Sequence, residues 1–492
     1  MGNDFYDSRR PGTGVNYIPD APREGQKEWR TAEDRKRVQF TDTCELLYLG
    51  KHFRGDGGIF LHPYGEKGNR DRIPYITLNL LAKCSRVYAD LLASDVSVDA
   101  QDEMAKAVLD KVEFGLPLWE AILMASISGF VGLQPVEMAN GWSWMMVDSR
   151  NLYLEWDKAT KKLAKVRKCV VFEGVQVSLQ SKIDMLYEET HTAGLIETRL
   201  YWIDGEKIVE ELPLDSYQVV DPEAFLVERI ETGLPGLAIS ILVNDSVAGH
   251  IQSDYTASAI GLQEALNARV TRNERILTIH SDPKLVAPRT ALKKDPETGE
   301  LLWASFNSEI LFVDQAEGIQ PYNYLTWDGQ ITAAENSKRM LKSELLAELD
   351  VAPQFLGDTE LVGGTTADTA SKLRQMLHST IKRATRKRGF LDIALRGLIG
   401  NILTLSGMPD AEFSIDYGEF IEMSREEILA EVLQRKQNKL IDTVSALEWL
   451  DNLSHEDAVD VTAAINAEEQ NAVGSMFPPT RYNLGQEQPN GL

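Results

Sequence analysis

The 492-residue chain has only three cysteines, Cys44, Cys84 and Cys169, and none of them lies in a C-x-x-C pair. An odd number of widely separated thiols argues against a disulfide framework and against a zinc site. We therefore expect a chain that is made in a reducing cytoplasm and that needs no metal and no cofactor.

Long apolar runs are also missing. The longest uncharged stretch, residues 121–136, contains serine and glycine and is too short to cross a bilayer. The first seven residues lack the basic flank and the apolar stretch that a signal peptide needs. We expect no membrane segment and no membrane partner.

The sequence lacks the common catalytic motifs. It has no phosphate-binding G-x-x-x-x-G-K-[ST] loop, no G-x-S-x-G nucleophile motif and no H-E-x-x-H metal motif. The seven histidines are scattered, and adjacent acidic pairs such as Glu188-Glu189 are expected by chance among 75 acidic residues. An enzyme would need a converging cluster of carboxylates or histidines, so we expect that the chain is not an enzyme.

Positive charge is scarce, with a formal net charge of −24. DNA-binding domains are usually basic, because neutralising phosphates supplies most of their affinity. The balance argues against tight DNA binding by the whole chain, but not against a surface past which DNA slides. The basic run Lys382–Arg388 is the exception. It could contact DNA, contact an acidic neighbouring subunit, or be a solvated helix face.

The length and the apolar content indicate a globular chain of two to four domains, with 43% hydrophobic residues. Helical patterns dominate the first part of residues 26–253. After Gly129 the chain turns to short β-branched and aromatic segments, 147–156, 166–172 and 196–203, which predict antiparallel strands. Asp204-Gly205 predicts a hairpin turn. Together these patterns predict an α+β fold.

The centre of the chain predicts two long helices separated by a β-rich insertion. The first helix starts at Asp254, the insertion covers residues 281–327, and the second helix covers 328–350. Pro353 disfavours helix at Ala352, so the second helix should stop near Asp350.

A glycine-containing loop at residues 351–365 comes next. Thr365 with Asp368 is typical of a capping box that starts another long helix, which should run to about Leu405. Helices are predicted again over 424–472.

The stretch Asp254–Asn267 and the order of these pieces resemble the portal proteins of tailed bacteriophages. The resemblance implies an α+β ring subunit built from named parts along the chain. These parts are an N-terminal arm (1–25), a wing (26–253), a stem helix (254–280), a clip (281–327), a second stem helix (328–350), a tunnel loop (351–365), a long helix with the second part of the wing (366–423), crown helices (424–472) and a disordered tail (473–492).

The resemblance also implies a function. A ring, usually of twelve subunits, would sit at one capsid vertex of the virion after assembly in the host cytoplasm, and double-stranded DNA would pass through it during packaging and ejection. The implied partners are the terminase large subunit, the scaffold and major capsid proteins, and a head–tail connector or adaptor protein. The alternative is a phage head structural or adaptor protein without a channel.

Three sets of site residues follow from the resemblance. The tunnel-loop residues would contact DNA by steric or polar contacts, since none is positively charged: Gln354, Phe355, Thr359, Glu360, Leu361, Val362, Gly363 and Gly364. The clip residues would face terminase or the connector: Lys293, Lys294, Asp295, Glu297 and Glu300. We further hypothesise that Arg383, Arg386 and Lys387 pair with carboxylates of the next subunit.

Overall fold

The structure is a computed structural model, and it divides into two compact units. The first comprises residues 1–365 and 376–418, and the second comprises residues 366–375 and 419–492. The structure describes residues 28–65, 73–139, 141–157, 162–178, 181–247, 249–280, 284–288, 293–294, 301–302, 310–313, 323–325, 331–358, 370–420, 425–438, 440–451, 454–455 and 457–465. The predicted N-terminal arm and the predicted tail lie outside these residues.

The helices of the described chain are numbered in order: α1 (Ala32–Tyr48), α2 (Leu80–Ala93), α3 (Glu103–Leu109), α4 (Gly115–Ser128), α5 (Ala257–His280), α6 (Ile331–Glu348), α7 (Ala370–Leu405), α8 (Arg425–Gln437) and α9 (Thr443–Asp451). Helix α1 begins at a capping box. The amide of Asp34 donates to Thr31 Oγ1 at 3.2 Å, and the amide of Thr31 donates to Asp34 Oδ2 at 3.0 Å. These bonds satisfy donors that a helix start leaves free.

The strands are numbered in the same way: β1 (Ser97–Ala100), β2 (Phe130–Met138), β3 (Gly141–Val147), β4 (Leu152–Trp156), β5 (Leu163–Ser178), β6 (Ser181–Thr192), β7 (Leu195–Asp204), β8 (Lys207–Leu212), β9 (Arg229–Glu231), β10 (Ser240–Val243), β11 (Asp245–Val247), β12 (His250–Gln252), β13 (Lys284–Pro288), β14 (Lys293–Lys294), β15 (Leu301–Leu302), β16 (Ile310–Val313), β17 (Asn323–Leu325) and β18 (Phe413–Asp416). With the helices, these mostly antiparallel strands make the α+β fold that the sequence predicted.

Two antiparallel sheets form the body of the first unit. The larger sheet has the strand order β4-β5-β6-β7-β8, with β9 also pairing β7, and the smaller has the order β10-β2-β3. Strand β4 joins their cores, because its side chains alternate between two apolar clusters. Leu152 and Leu154 pack with Phe130, whereas Tyr153 packs with Trp29. Alternation along a strand explains why one strand can serve both clusters.

The hairpin predicted at Asp204-Gly205 is confirmed. Asp204 pairs with Lys207 across the β7–β8 turn, and Gly205 has φ 58°, a backbone angle that glycine adopts without a steric cost.

The strand predicted over 147–156 is confirmed for Leu152–Trp156 only, because the chain turns between β3 and β4. Asp148 Oδ1 accepts a 2.8 Å hydrogen bond from the amide of Arg150. Such a bond from a side chain to the nearby backbone favours a turn over an extended strand.

Helices α5 and α6 run antiparallel, since Thr256 before the start of α5 donates to Glu348 at the end of α6 at 2.9 Å. The predicted stop near Asp350 is confirmed: Asp350 has φ 53°, and Pro353 opens a short 3-10 helix. In the described part of the segment between these helices, β13 pairs with β16 in parallel and with β17 antiparallel.

Helix α7 is the longest described helix, with 36 residues. The capping box predicted at Thr365 and Asp368 lies outside the described residues. The second unit contains the first residues of α7, helices α8 and α9, and a helical stretch at 457–465. Val432, Ala446 and Ala458 are its buried apolar residues among those described.

Candidate functional site at the base of the helical pair

Asp254 lies just before α5 and is almost fully buried, with 3% of its surface exposed. Its Oδ2 accepts hydrogen bonds from Ser126 Oγ and Lys387 Nζ, both at 2.6 Å. Its Oδ1 accepts from Arg383 Nη2 at 2.8 Å and from Asn244 Nδ2 at 3.2 Å. One carboxylate therefore connects α4, the β10–β11 junction and α7 at the point where α5 begins.

The charges at this point compensate each other. Burial raises the pKa of Asp254, but the Lys387 ammonium and the Arg383 guanidinium more than offset burial and hold that pKa well below its usual range. Burial lowers the pKa of Lys387, and the Asp254 carboxylate opposes this effect. A buried ion pair contributes little net stability when both partners are present, but losing one partner is costly. We infer that the cluster favours the arrangement of the three elements in which these charges meet.

The end of α6 is held at the same place. The Tyr88 hydroxyl donates to the carbonyl of Leu349 at 2.8 Å, and Lys387 Nζ lies 4.5 Å from the centre of the Tyr88 ring. Thr380 Oγ1 donates to the carbonyl of Asp350 at 2.7 Å. We call the residues that fix both helices to α7 the joint: Tyr88, Ser126, Asn244, Asp254, Thr380, Arg383 and Lys387.

A second set of polar contacts holds the side of α5. Gln263, Asn267 and Thr271 are spaced four residues apart, so they lie on one helix face, and all three are buried. Their side-chain oxygens accept from the amides of Leu80 at 3.2 Å, Leu78 at 3.0 Å and Ile76 at 3.0 Å, in that order. We call these three residues the polar ladder, because they bind α5 to the chain that leads into α2.

His52 extends the polar ladder. Its Nδ1 accepts from Asn267 Nδ2 at 2.7 Å, and its Nε2 donates to the carbonyl of Leu47 at 2.9 Å. Burial lowers the pKa of His52, and the neutral ring supplies the one acceptor and the one donor that these contacts require.

All three basic residues predicted at a subunit interface have carboxylate partners within the chain. Arg383 and Lys387 bind Asp254, and Lys387 is buried. Arg386 is half exposed and pairs with Asp245 of the same chain at 3.0 Å, so its contact with a neighbouring subunit stays a prediction.

The sequence contained a signal for the buried lysine. Lys387 lies on the stripe of α7 that also holds buried Ala384 and Leu391, and a lysine in an apolar stripe needs a buried partner. The sequence did not reveal that the partner is Asp254.

Most of the predicted tunnel-loop and clip residues are not among the residues that the structure describes. Gln354 and Phe355 are half-buried in the 3-10 helix after α6, whereas Thr359, Glu360, Leu361, Val362, Gly363 and Gly364 are not among the described residues. Lys293 and Lys294 form β14, which pairs with β15, whereas Asp295, Glu297 and Glu300 fall outside. The roles of both sets stay predictions.

No group of His, Cys, Asp or Glu side chains in the described part of the chain is arranged to hold a metal ion. No helix among the same residues is long and apolar enough to span a membrane.

Comparisons with known proteins give structural similarity only. No family model and no curated protein matches the chain. The chain is similar to the neck of an empty GTA particle computed with C6 symmetry, at 11% identity and a TM-score of 0.42, over 76% of this chain and 90% of that one.

Two further structures are similar at the same level. The neck of a native GTA particle computed with C12 symmetry matches at 10% identity, over 75% of this chain and 89% of that one, with a TM-score of 0.39. The virion of a native gene transfer agent (GTA) particle matches at 12% identity over the same shares, with a TM-score of 0.40. Since all three TM-scores lie below 0.5, these similarities carry no argument about what the chain does.

Proposed function

We propose that the chain is a portal subunit, which forms a ring of twelve at one capsid vertex and surrounds a channel for double-stranded DNA. The antiparallel pair α5–α6, fixed at its base by the joint, is the observation that carries this proposal. Such a pair can stand beside its copies as the wall of a tube. The joint would keep each pair at one angle, which a closed ring of identical subunits requires.

The charge of the chain fits a channel that DNA crosses without binding. Twelve copies at −24 each give a formal charge of about −288 per ring. Acidic groups repel phosphates over a Debye length of about 8–10 Å at ordinary salt. Without basic groups that neutralise phosphates and release their counterions, the channel would not hold DNA tightly, and the DNA would slide through it.

The portal resemblance supplies the partners. The strand-bearing segment between α5 and α6 would meet the terminase large subunit during packaging and a head–tail connector or adaptor protein afterwards. The wing would contact the scaffold and major capsid proteins in the virion. Terminase would supply the ATPase, which agrees with a sequence that has no phosphate-binding loop.

Imaging of the purified full-length chain tests the proposal. Mass photometry should show a particle of about 660 kDa, as twelve chains of 55.0 kDa require, and negative-stain micrographs should show rings with a central hole. A monomer or a closed particle would contradict the channel. It would instead favour a head structural or adaptor protein.

A further inference from the structure

A large apolar groove is left open in the first unit. Its volume is about 1390 Å³, and it lies between the sheets and the second half of α7. Its apolar lining includes Trp156, Leu163, Ile241, Val243, Phe390 and Ile393. Ile393 is 70% exposed, so the helix wall of the groove presents apolar surface to water.

The groove also has a free strand edge. Strand β10 pairs with β2 on one side, and no other described strand pairs with it. The amide of Asn244 donates to the carbonyl of Gly129 at 2.8 Å, in register with the pair Val243–Phe130. Because antiparallel bonding alternates along a strand, the N–H and C=O groups of Ile241 and Val243 point away from β2. An extended peptide could pair there.

A matching ligand lies elsewhere on the same unit. Between Ala224 and Glu228 the chain has no regular secondary structure, and Phe225 and Val227 are 84% and 54% exposed. These two side chains are two residues apart, so they share one face of an extended segment. Neither residue lines the groove.

We propose that residues 224–228 of one subunit dock in the groove of the next subunit in the ring. This inference rests on the proposed ring. Phe225 and Val227 would cover the apolar lining, and the backbone would pair with the free edge of β10, which is a known mode of peptide recognition.

The exposed apolar pair and the geometry favour a second copy as the occupant. Arg396 on the groove wall binds Asp392 of the same chain at 2.8 Å, so the match depends on the apolar side chains of Phe225 and Val227. The groove and the segment are different surfaces, so the contact is heterologous. Contacts of this kind generate rings when the rotation closes.

Photo-crosslinking tests the contact directly. The photoreactive residue benzoylphenylalanine replaces Phe225 in ¹⁵N-labelled chains, which are assembled with unlabelled chains and irradiated. Mass spectrometry should find crosslinks from labelled position 225 to unlabelled residues of the groove, at 235–251 or 390–404. The control places the same residue at Met104, which is 68% exposed on α3, and should not crosslink to the groove. Rings whose position 225 crosslinks elsewhere, or not at all, would overturn the proposal.

A substitution tests the docking contact separately from the proposed ring. Phe225→Asp should raise the subunit concentration needed for half-assembly by at least about tenfold, as expected for a central aromatic contact, whereas Met104→Asp should leave it unchanged. Both side chains are exposed, so neither change should disturb folding. Wild-type assembly in Phe225→Asp rings refutes the docking and leaves the ring proposal standing. A wild-type chain that forms no ring refutes both.

Discussion

Asp254 is the residue on which the base of the helical pair depends, because its four side-chain partners come from three separate segments of the chain. The sequence places this aspartate at the start of a predicted helix, but its importance for the base of the pair follows only from its burial and from the two cations beside it. Its effect on stability can be separated from that of an ordinary surface ion pair.

Lys387→Met should destabilise the first unit by about 3–5 kcal/mol, because it removes one partner of a buried ion pair and leaves a carboxylate less compensated. Urea unfolding should show a lower midpoint. The double variant Lys387→Met/Asp254→Asn should regain part of the loss.

Arg396→Met is the matched control, since Arg396 pairs with Asp392 at a half-exposed position. There a loss of about 1 kcal/mol or less is expected. Equal effects of the two single variants would show that Lys387 is not part of a buried pair.

Protonation of Glu189 should lower the free energy of unfolding in acid. Burial raises its pKa, but the His191 ring, the Lys168 ammonium and the Tyr187 hydroxyl together lower it from 4.5 to about 2. Because the folded pKa lies below the ordinary value, the stabilisation is complete above pH 4.5 and is lost as the pH falls towards 2. The contribution at neutral pH is about 3 kcal/mol.

Glu189→Gln should therefore lower stability at pH 7 and flatten the decline between pH 4.5 and 2, as followed by thermal unfolding. Glu211→Gln, at an exposed position on β8, should retain the wild-type decline. A Glu189→Gln variant with the same decline as wild type would assign the acid sensitivity to other carboxylates.

At the scale of elements, the joint and the polar ladder give α5 two independent attachments. The joint fixes its first residues and the end of α6, whereas the polar ladder fixes its side to the chain before α2. Both use buried polar groups with defined geometry, and such groups favour one alignment over others that apolar packing alone would allow.

Asn267→Ala should loosen the chain before α2, because it leaves the amide of Leu78 and the ring of His52 without their buried partner. The expected loss is about 1–3 kcal/mol. Hydrogen exchange at the amides of Ile76 and Leu78 should become faster, with little change in α4. Arg272→Ala, at an exposed position of α5, is the control and should not change that exchange. Unchanged protection in Asn267→Ala would show that the polar ladder does not hold the segment.

At the scale of the whole molecule, the acidic charge and the proposed ring together predict that the ring does not bind DNA tightly. Wild-type rings should not retain linear double-stranded DNA in a mobility-shift assay at 150 mM salt. The double substitution Thr359→Lys/Val362→Lys would add twenty-four lysines to a ring of twelve, and it should cause retention that weakens as salt rises.

The same double substitution tests where the predicted tunnel loop lies. The control adds two lysines at Val209 on β8 and at Val219 in the short 3-10 helix Leu214–Val219, which are both 49% exposed and outside the predicted channel, so that it changes the charge by the same amount. Retention by both variants to the same extent would argue against a loop that faces the channel. Retention by the loop variant alone would support it.

The sequence by itself determined features that depend on neighbouring residues. Pro353 ended α6 near Asp350, Gly205 made the β7–β8 turn, and the composition of residues 254–280 made a long helix. These outcomes follow from steric limits on the backbone within a few residues, so the local sequence is sufficient to predict them.

Only the tertiary structure decided the partners of buried polar groups. Lys387 and Asp254 are 133 residues apart, and the sequence suggested a partner on another subunit instead. The polar ladder on α5 and the free edge of β10 were not predicted either. Each of these depends on which distant segments exclude water from a side chain or a strand edge. The free-energy cost of a buried polar group without a partner therefore arises only once the chain has folded.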